Sequence, residues 1–430
     1  MAAEGKRIHV KGVRVSDDGR CVAYEIDYGN RVGSYFSGEP FQVQYDRNVG
    51  EVPASVLFIP LLSNLCPVAW VTGADVYVEE LDRAFYHSLQ KVRDAFSVLY
   101  PKLHFKGRLN VGRLVHNRSP QQHLGRNALF FSGGVDSLAA CLRKTAERPY
   151  LITVWGADIG IGQPHVWEQV KENHSVFGEA FGMENLFLKS NLRTFIHEAR
   201  MADEFGRITR GWWPGIQHGI GMIGLSAPLG YLLGFRHLFL ASSLPPKLAQ
   251  TVPYGSHATV DNQIRFADTS VRSEGEELSR QDKMTVIADY IRESGTGLQI
   301  RVCWANNEYG NCCRCEKCAR TAAGLQAEGI DPRLCGFPEA ERLIEFTRQN
   351  LPSWLAQNRI WVEYWDEIRR RSLSNRDRIR SEDRPFLEWL QSIDPYSHKQ
   401  KRSARDVFLD LLPHALYIWL KKTVENYRTC

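Results

Sequence analysis

Ala128-Leu129-Phe130-Phe131-Ser132-Gly133-Gly134-Val135-Asp136-Ser137 joins a short apolar run to a glycine turn, and a helical pattern starts at Val135. Open α/β sheets bind their ligands at this kind of junction, at the carboxyl end of a strand. Two glycines let the backbone turn sharply and approach a ligand closely. The turn amides and the free N–H groups opening the helix then face outward as an anion cradle, to which Ser132 and Ser137 add hydroxyls. Asp136 would oppose a bare anion, so a Mg²⁺ ion is expected with the phosphate. The stretch lacks the Gly-Lys-Ser/Thr ending of a Walker A loop and the G-x-G-x-x-G spacing of a dinucleotide fingerprint.

Outward from this turn, strands are expected at Tyr150–Trp155, 186–189, His237–Ala241 and 298–302, with helices at 166–182, 216–233 and 279–292. Alternating strands and helices predict an α/β core with a mostly parallel sheet over residues 127–330. Residues 1–115 alternate apolar runs with turn residues, as in Arg7–Val15, Cys21–Tyr28 and 55–61, and predict a β-rich N-terminal domain; 78–100 reads as a helix within it and 117–126 as a linker. Residues 337–430 predict a helical, aromatic C-terminal region with Trp354, Trp361, Trp365, Trp389 and Trp419. Its run Arg369-Arg370-Arg371 reads as a solvated helix face, with a phosphate-backbone contact as the alternative.

The 430 residues carry a formal net charge of +5, which permits a nucleic-acid partner without arguing for one. No Asp, Glu, Lys or Arg occurs from Gly211 to Phe235, yet Gln217, His218, Pro228 and repeated glycines interrupt the run, so a buried core helix is expected and no membrane span. The first residues hold no apolar signal stretch, and a cytoplasmic protein is expected. Of ten cysteines, five fall between Cys303 and Cys318, which suits a metal site in a reducing compartment. Cys303, Cys312, Cys315 and Cys318 form C-x8-C-x2-C-x2-C. Four thiolates suit a structural Zn²⁺; an iron–sulfur cluster or reduced structural cysteines are the alternatives. Cys313 lies out of register.

Residues Ser132–Ser137 match the SGGxDS signature of the PP-loop ATP pyrophosphatases, and with the cysteine knuckle they resemble the 7-cyano-7-deazaguanine synthases (QueC-like proteins) over 128–328. Asp158-Ile159-Gly160 with His165 and Glu168 looks like that family's Asp-Tyr-Gly-Gln-Arg-His segment. Lys283 looks like the lysine of its Thr-Lys-Ala-Glu helix, and Trp213-Pro214-Gly215 looks like its Pro-Gly-Arg-Asn element, although Ile216-Gln217 and then His218 stand where the family has Arg-Asn. The family's substrate loop is replaced by Tyr254-Gly255-Ser256-His257 and Asp261-Asn262. The flanking regions are foreign to the short enzymes and look closer to longer QueC-like proteins of bacterial anti-phage systems.

The resemblance implies a ligase or synthase that cleaves ATP between its α- and β-phosphates and adenylates the carboxylate of a 7-deazaguanine acid. An amine then displaces AMP. The amine is ammonia, giving an amide or nitrile, or the N-terminal amine of a partner protein. Ser132, Gly133, Gly134, Val135, Asp136, Ser137 and Asp158 would hold the nucleotide, with Asp136 and Lys283 catalytic. His165, Gln217, Asp261 and Arg265 are substrate candidates, and Lys247 is a further cation. Asp261 could accept from a guanine-like edge, or make an Asx turn. His165, His218 and His257 could assist proton transfer or serve as structural histidines. Two other readings stand beside this one: a tRNA-modifying PP-loop enzyme, and a nucleotide-binding scaffold in a defence complex.

Overall fold

The computed structural model describes residues 6–29, 32–121, 125–303 and 310–397. Eleven strands are described: β1 (Arg7–Val15), β2 (Cys21–Tyr28), β3 (Gln42–Tyr45), β4 (Asp75–Asp82), β5 (Leu109–Val115), β6 (Ala128–Phe130), β7 (Tyr150–Trp155), β8 (Asn185–Ser190), β9 (His237–Ala241), β10 (Arg265–Phe266) and β11 (Thr269–Glu274). They form one mixed sheet in the order β10-β11-β9-β6-β7-β8-β3-β2-β1-β4-β5.

The helices are α1 (Ala54–Leu57), α2 (Ile59–Thr72), α3 (Arg83–Leu99), α4 (Val135–Arg143), α5 (Pro164–Phe181), α6 (Leu192–Phe195), α7 (Glu198–Thr209), α8 (His218–Leu225) and α9 (Ala227–Leu233). Then follow α10 (Pro246–Ala249), α11 (Ala258–Asp261), α12 (Arg280–Ser294), α13 (Glu316–Ala327), α14 (Ala340–Gln357), α15 (Arg359–Ser374) and α16 (Arg384–Ser392). The chain is α/β, as its alternating pattern predicts.

The centre of the sheet is parallel: β6 pairs with both β7 and β9, β7 with β8, and β9 with β11. β6 is buried throughout and β7 nearly so, which is why these strands read as unbroken apolar runs. Strand order reverses at β6, since β7 and β8 build to one side and β9 and β11 to the other. The crevice outside the carboxyl ends of β6 and β9 is therefore a topological switch point, where open α/β sheets place ligands.

The strands of the N-terminal segment join the same sheet, because β3 runs antiparallel to β8 with Val43 opposite Ser190. Residues 55–61 differ from the expectation of another β run. They lie in α1 and α2, and α2 is buried on nearly every side, so its apolar residues follow no two-residue alternation. The expected helix over 78–100 begins only at Arg83, after β4; the Asp82 carboxylate caps it by accepting from Phe85 N at 2.8 Å.

The uncharged run from Gly211 is likewise not one helix. A π-helical turn at Trp213–Gln217 opens it, and it breaks again at Ser226 ahead of Pro228. Its glycines serve contact with α2: a Cβ on Gly224 would meet Ser63 Oγ at 1.9 Å, and one on Gly221 would meet Asn64 Oδ1 at 2.7 Å. Charge is absent because the segment is core. Among the described residues no helix is long and apolar enough to cross a membrane.

Residues 298–302 also correct the expectation, since they form no strand of the sheet. Ile300 N donates to Cys335 O and Arg301 N to Gly133 O at 2.9 Å, so this extended segment is tied to the glycine turn instead. The C-terminal region is helical through α16. Trp365 is fully buried there and stacks on Trp354. Residues 398–430, with Trp419, lie outside the described residues. Arg369 and Arg370 pair with Asp366, and Arg371 with Asp282 and Glu328.

Candidate active site

The turn after β6 is held from within. Ser132 N donates to Ser137 Oγ at 3.2 Å, Ser137 Oγ donates to Gly134 O at 3.1 Å, and the two serine hydroxyls stand 3.1 Å apart. Gly133 has φ +71°, a left-handed conformation that a side chain would strain. A Cβ there would also stand 3.0 Å from His174 Nε2. Gly134 precedes α4 without a side-chain cap, leaving the opening N–H groups of the helix for an external acceptor.

His174 supports the turn from beneath, and sequence reading missed it. Its ring hydrogen-bonds the Ser132 backbone, while Nδ1 lies 2.8 Å from Thr153 Oγ1 on β7. Burial and the nearby Arg301 bring its pKa to about 3, so the ring is neutral at physiological pH. Nothing in the α5 sequence separates it from an ordinary core histidine.

Asp136 is clamped by two cations from α12. Arg280 Nη1 lies 2.8 Å from Oδ2 and Lys283 Nζ 3.4 Å from Oδ1, and Lys283 also donates to Ser242 O at the end of β9. Burial alone would raise the Asp136 pKa, yet Arg280 and Lys283 together hold its carboxyl below the ordinary value. The carboxylate thus faces two cations, with Oδ2 hydrogen-bonded to Arg280 and Oδ1 ion-paired with Lys283. Arg280 was not among the sequence candidates; its signal is the i, i+3 spacing to Lys283, which sets both on one helix face.

The starts of α12 and α13 together bring four cations to this place. Besides Arg280 and Lys283 there are Lys317, which burial and the neighbouring Arg280 and Arg320 bring to about 7, and Arg320, paired with buried Glu316 at 2.9 Å. Asp136 and Glu316 are the buried carboxylates among them. With Asp136 and Glu316 offsetting part of the charge, the cluster keeps a modest positive excess, which suits an anion.

Asp158 follows β7, is exposed, and acts electrostatically on Lys317, His218 and Tyr254, so it borders the same crevice. His218 sits edge-on to Trp213 and Tyr254, with Nδ1 buried and without a hydrogen-bond partner among the described residues. The other sequence candidates spread outward. His165 is exposed on the first turn of α5. Gln217 is buried and donates to Asn64 Oδ1 and Leu192 O, both at 2.8 Å, joining α2 to the start of α6.

Asp261 is fully buried, accepts from Ser256 Oγ at 2.7 Å, and is pushed up to about 8 by burial. His257 Nε2 lies 2.7 Å from the Ala249 carbonyl. Arg265 is exposed on β10, at the sheet edge. Lys247 pairs with Glu363 at 3.1 Å.

The four knuckle cysteines converge. Cys303 ends the extended segment that holds Gly133 O, Cys315 precedes α13, and Cys318 lies in its first turn; all four Sγ atoms lie within 4.8 Å of one another. Cys312 and Cys318 sulfurs are 3.9 Å apart, and those of Cys315 and Cys318 3.4 Å. With metal–sulfur bonds of about 2.3 Å, a tetrahedral site has sulfurs about 3.8 Å apart, so the donor set fits a metal such as zinc. Cys313, at φ +51°, carries the chain around the site and stays outside the set.

No known protein-family model, curated protein or solved structure matches the chain.

Proposed function

We propose that the chain is an ATP-dependent ligase of the PP-loop pyrophosphatase type, QueC-like in its core at residues 127–330. It adenylates the carboxylate of a 7-deazaguanine acid and passes the acyl group to an amine. The observation that carries this reading is the Ser132–Ser137 turn at the sheet's switch point, facing the Asp136–Arg280–Lys283 cluster. Open helix amides, a close-approach glycine and surplus cations at one place are what a triphosphate requires.

In this reading the substrate carboxylate attacks the α-phosphorus, and the bond from that phosphorus to the oxygen bridging the β-phosphate breaks. Pyrophosphate leaves with the bonding electrons. The turn amides, Lys283 and Arg280 face the charge that develops on it, and because they are already in place no reorganisation opposes the step. Asp136 keeps both cations aimed and ionised. The Mg²⁺ of the nucleotide would ride on its phosphates, since the Asp136 oxygens face Arg280 and Lys283.

An amine then attacks the acyl carbon and AMP departs. Zinc on Cys303, Cys312, Cys315 and Cys318 would supply a structural clasp, fixing the segment whose Arg301 N–H holds Gly133 O. By the same resemblance the setting would be a defence system, in which the amine is ammonia or a partner protein's N-terminus.

The test is incubation of the full chain with Mg·ATP and 7-carboxy-7-deazaguanine, with and without ammonia, following pyrophosphate and products by mass spectrometry. Pyrophosphate release that depends on the acid is expected. Its absence with that acid refutes the assigned substrate, and release that needs tRNA instead would favour tRNA modification.

A further inference from the structure

His174 and His257 commit their rings to structural hydrogen bonds, with Thr153 Oγ1 and the Ala249 carbonyl. The His218 ring is placed differently. It follows the π-turn at Trp213–Gln217, where His218 N donates to Trp213 O five residues back. In an α-helix residues five apart point away from each other. Here the wider turn brings the two rings to 5.0 Å, edge to face. Tyr254 stands 5.7 Å away on another side. Its loop is locked onto the start of α8: Gly255 N donates to Pro214 O at 2.7 Å, and a Cβ on Gly219 would meet Gly255 O at 2.8 Å.

This setting leaves the imidazole one closed edge and one open edge. Nδ1 is closed to solvent and has no hydrogen-bond partner among the described residues, while the residue as a whole is only half-buried, so the open edge is that of Nε2. A proton on Nδ1 would be a donor with nothing to receive it, whereas on Nε2 it meets solvent or a ligand. The neutral ring therefore offers the crevice a donor and not a base. Burial holds the ring below its ordinary pKa; Asp158 pulls it up and Arg193, over the Trp213 ring at 4.9 Å, adds to the lowering. Burial also keeps the Tyr254 phenol protonated, Asp261 on the packed loop is pushed up to about 8, and α2 carries no charged residue. Tyr254 feels both Asp158 and Asp136, which sets this group of rings beside the nucleotide crevice.

We propose that His218 is a catalytic hydrogen-bond donor, its Nε2–H aimed at the acyl oxygen of the activated acid. The proposal rests on the acyl-transfer reading. As the lone pair of a neutral amine forms the C–N bond, the carbonyl π electrons move onto that oxygen, which accepts the His218 bond without taking its proton. The C=O bond then re-forms and the bond from the acyl carbon to AMP breaks. AMP leaves with the bonding pair, and the surplus proton of the amine passes to water. A donor already in place meets the developing charge without reorganisation.

The probe amine is hydroxylamine, which is unprotonated at neutral pH and turns an acyl adenylate into a hydroxamate. It is used with the full chain, Mg·ATP and 7-carboxy-7-deazaguanine, at subsaturating concentration so that acyl transfer limits the rate. His218→Leu should slow hydroxamate formation about a hundredfold, as loss of one such donor does. His218→Gln sets an amide N–H near the place of Nε2 and should recover about tenfold of that loss. The wild-type rate should be level between about pH 7 and about pH 9. A Gln variant as slow as the Leu variant, or a wild-type rate that follows titration of the ring, identifies proton transfer and overturns the proposal. A Leu variant as fast as wild type overturns it too and leaves the ligase reading standing. Nitrogen-15 spectra of the imidazoles give a readout that needs no turnover: a neutral ring protonated at Nε2, missing from the His218→Gln spectrum, is expected, and protonation at Nδ1 overturns the proposal. A wild type that forms no hydroxamate with any acid refutes the ligase reading and this role with it.

Discussion

Replacing Asp136 with Asn removes a charge while keeping the shape of the turn. In the native protein this carboxylate meets Arg280 at 2.8 Å and Lys283 at 3.4 Å, and the Lys283 side chain is only 2% exposed. Asp136→Asn would leave both cations buried without a counter-charge. Removing one partner of a buried ion pair costs about 3–5 kcal/mol. Lys283 retains its bond to Ser242 O, which places the expected loss near the lower end, about 3 kcal/mol. On the proposed function pyrophosphate would supply the missing negative charge, and at one hundred times its dissociation constant would return about 2.7 kcal/mol.

The assay is denaturant unfolding of wild type and variant across a pyrophosphate series, with and without Mg²⁺. The variant should be less stable without ligand, independently of Mg²⁺, and should gain more from pyrophosphate than the wild type does. pH adds a second readout. The folded pKa of Asp136 is depressed, so its contribution is present above the ordinary carboxyl value and is lost as pH falls through the depressed one. Asp136→Asn should remove that acid-side loss. A variant within about 0.5 kcal/mol of wild type without ligand, failing only in Mg²⁺-dependent steps, would refute the clamp and make Asp136 an ordinary magnesium ligand.

Three further expectations can be checked alongside it. Gly133→Ala should lose about 1–2 kcal/mol for its left-handed backbone, with added crowding against His174 Nε2, seen as a lower denaturation midpoint and a raised KM for ATP. Elemental analysis should find about one zinc per chain, and Cys318→Ser should reduce it towards zero and make the Arg301 amide, which donates to Gly133 O, exchange faster with solvent. The folded pKa of Asp261 is raised to about 8, so its stabilising contribution is full below the unfolded carboxyl value and is lost as pH climbs to about 8. Asp261→Asn should flatten that stretch of the stability–pH curve; an unchanged slope would refute the assignment.

Much of the fold can be read from local pattern where burial is one-sided or complete. β1 and β2 fall where alternation with turns puts them, and His237–Ala241 where a short apolar run follows a basic pair. Pattern fails where burial surrounds a helix, as at 55–61, because an all-round apolar helix and a buried strand share a composition. It fails again at 298–302, whose backbone partners are Gly133, Cys335 and Asn311, contacts that no periodicity encodes.

The site divides similarly. The turn and the cysteines are contiguous signals, so spacing alone brings them forward. Gln217 stands out as a polar residue in an apolar run, yet its amide is turned to structural contacts with Asn64 in α2 and Leu192 O in α6. Arg280 and His174 reach the turn only through the fold, from 144 residues away in the case of Arg280.

The junction of β3 with β8 has a consequence for how the chain is made. Ser190 Oγ donates to Gln42 O across 148 residues, and Val43 and Ser190 face each other in the ladder. During synthesis the first strands emerge early, but the neighbour that completes them is translated long afterwards. Closing so long a loop must precede the reward of pairing, which slows folding. Until Ser190 clears the ribosome, β3 presents an unpaired edge, and the interval set by elongation is the period in which this protein is open to wrong partners.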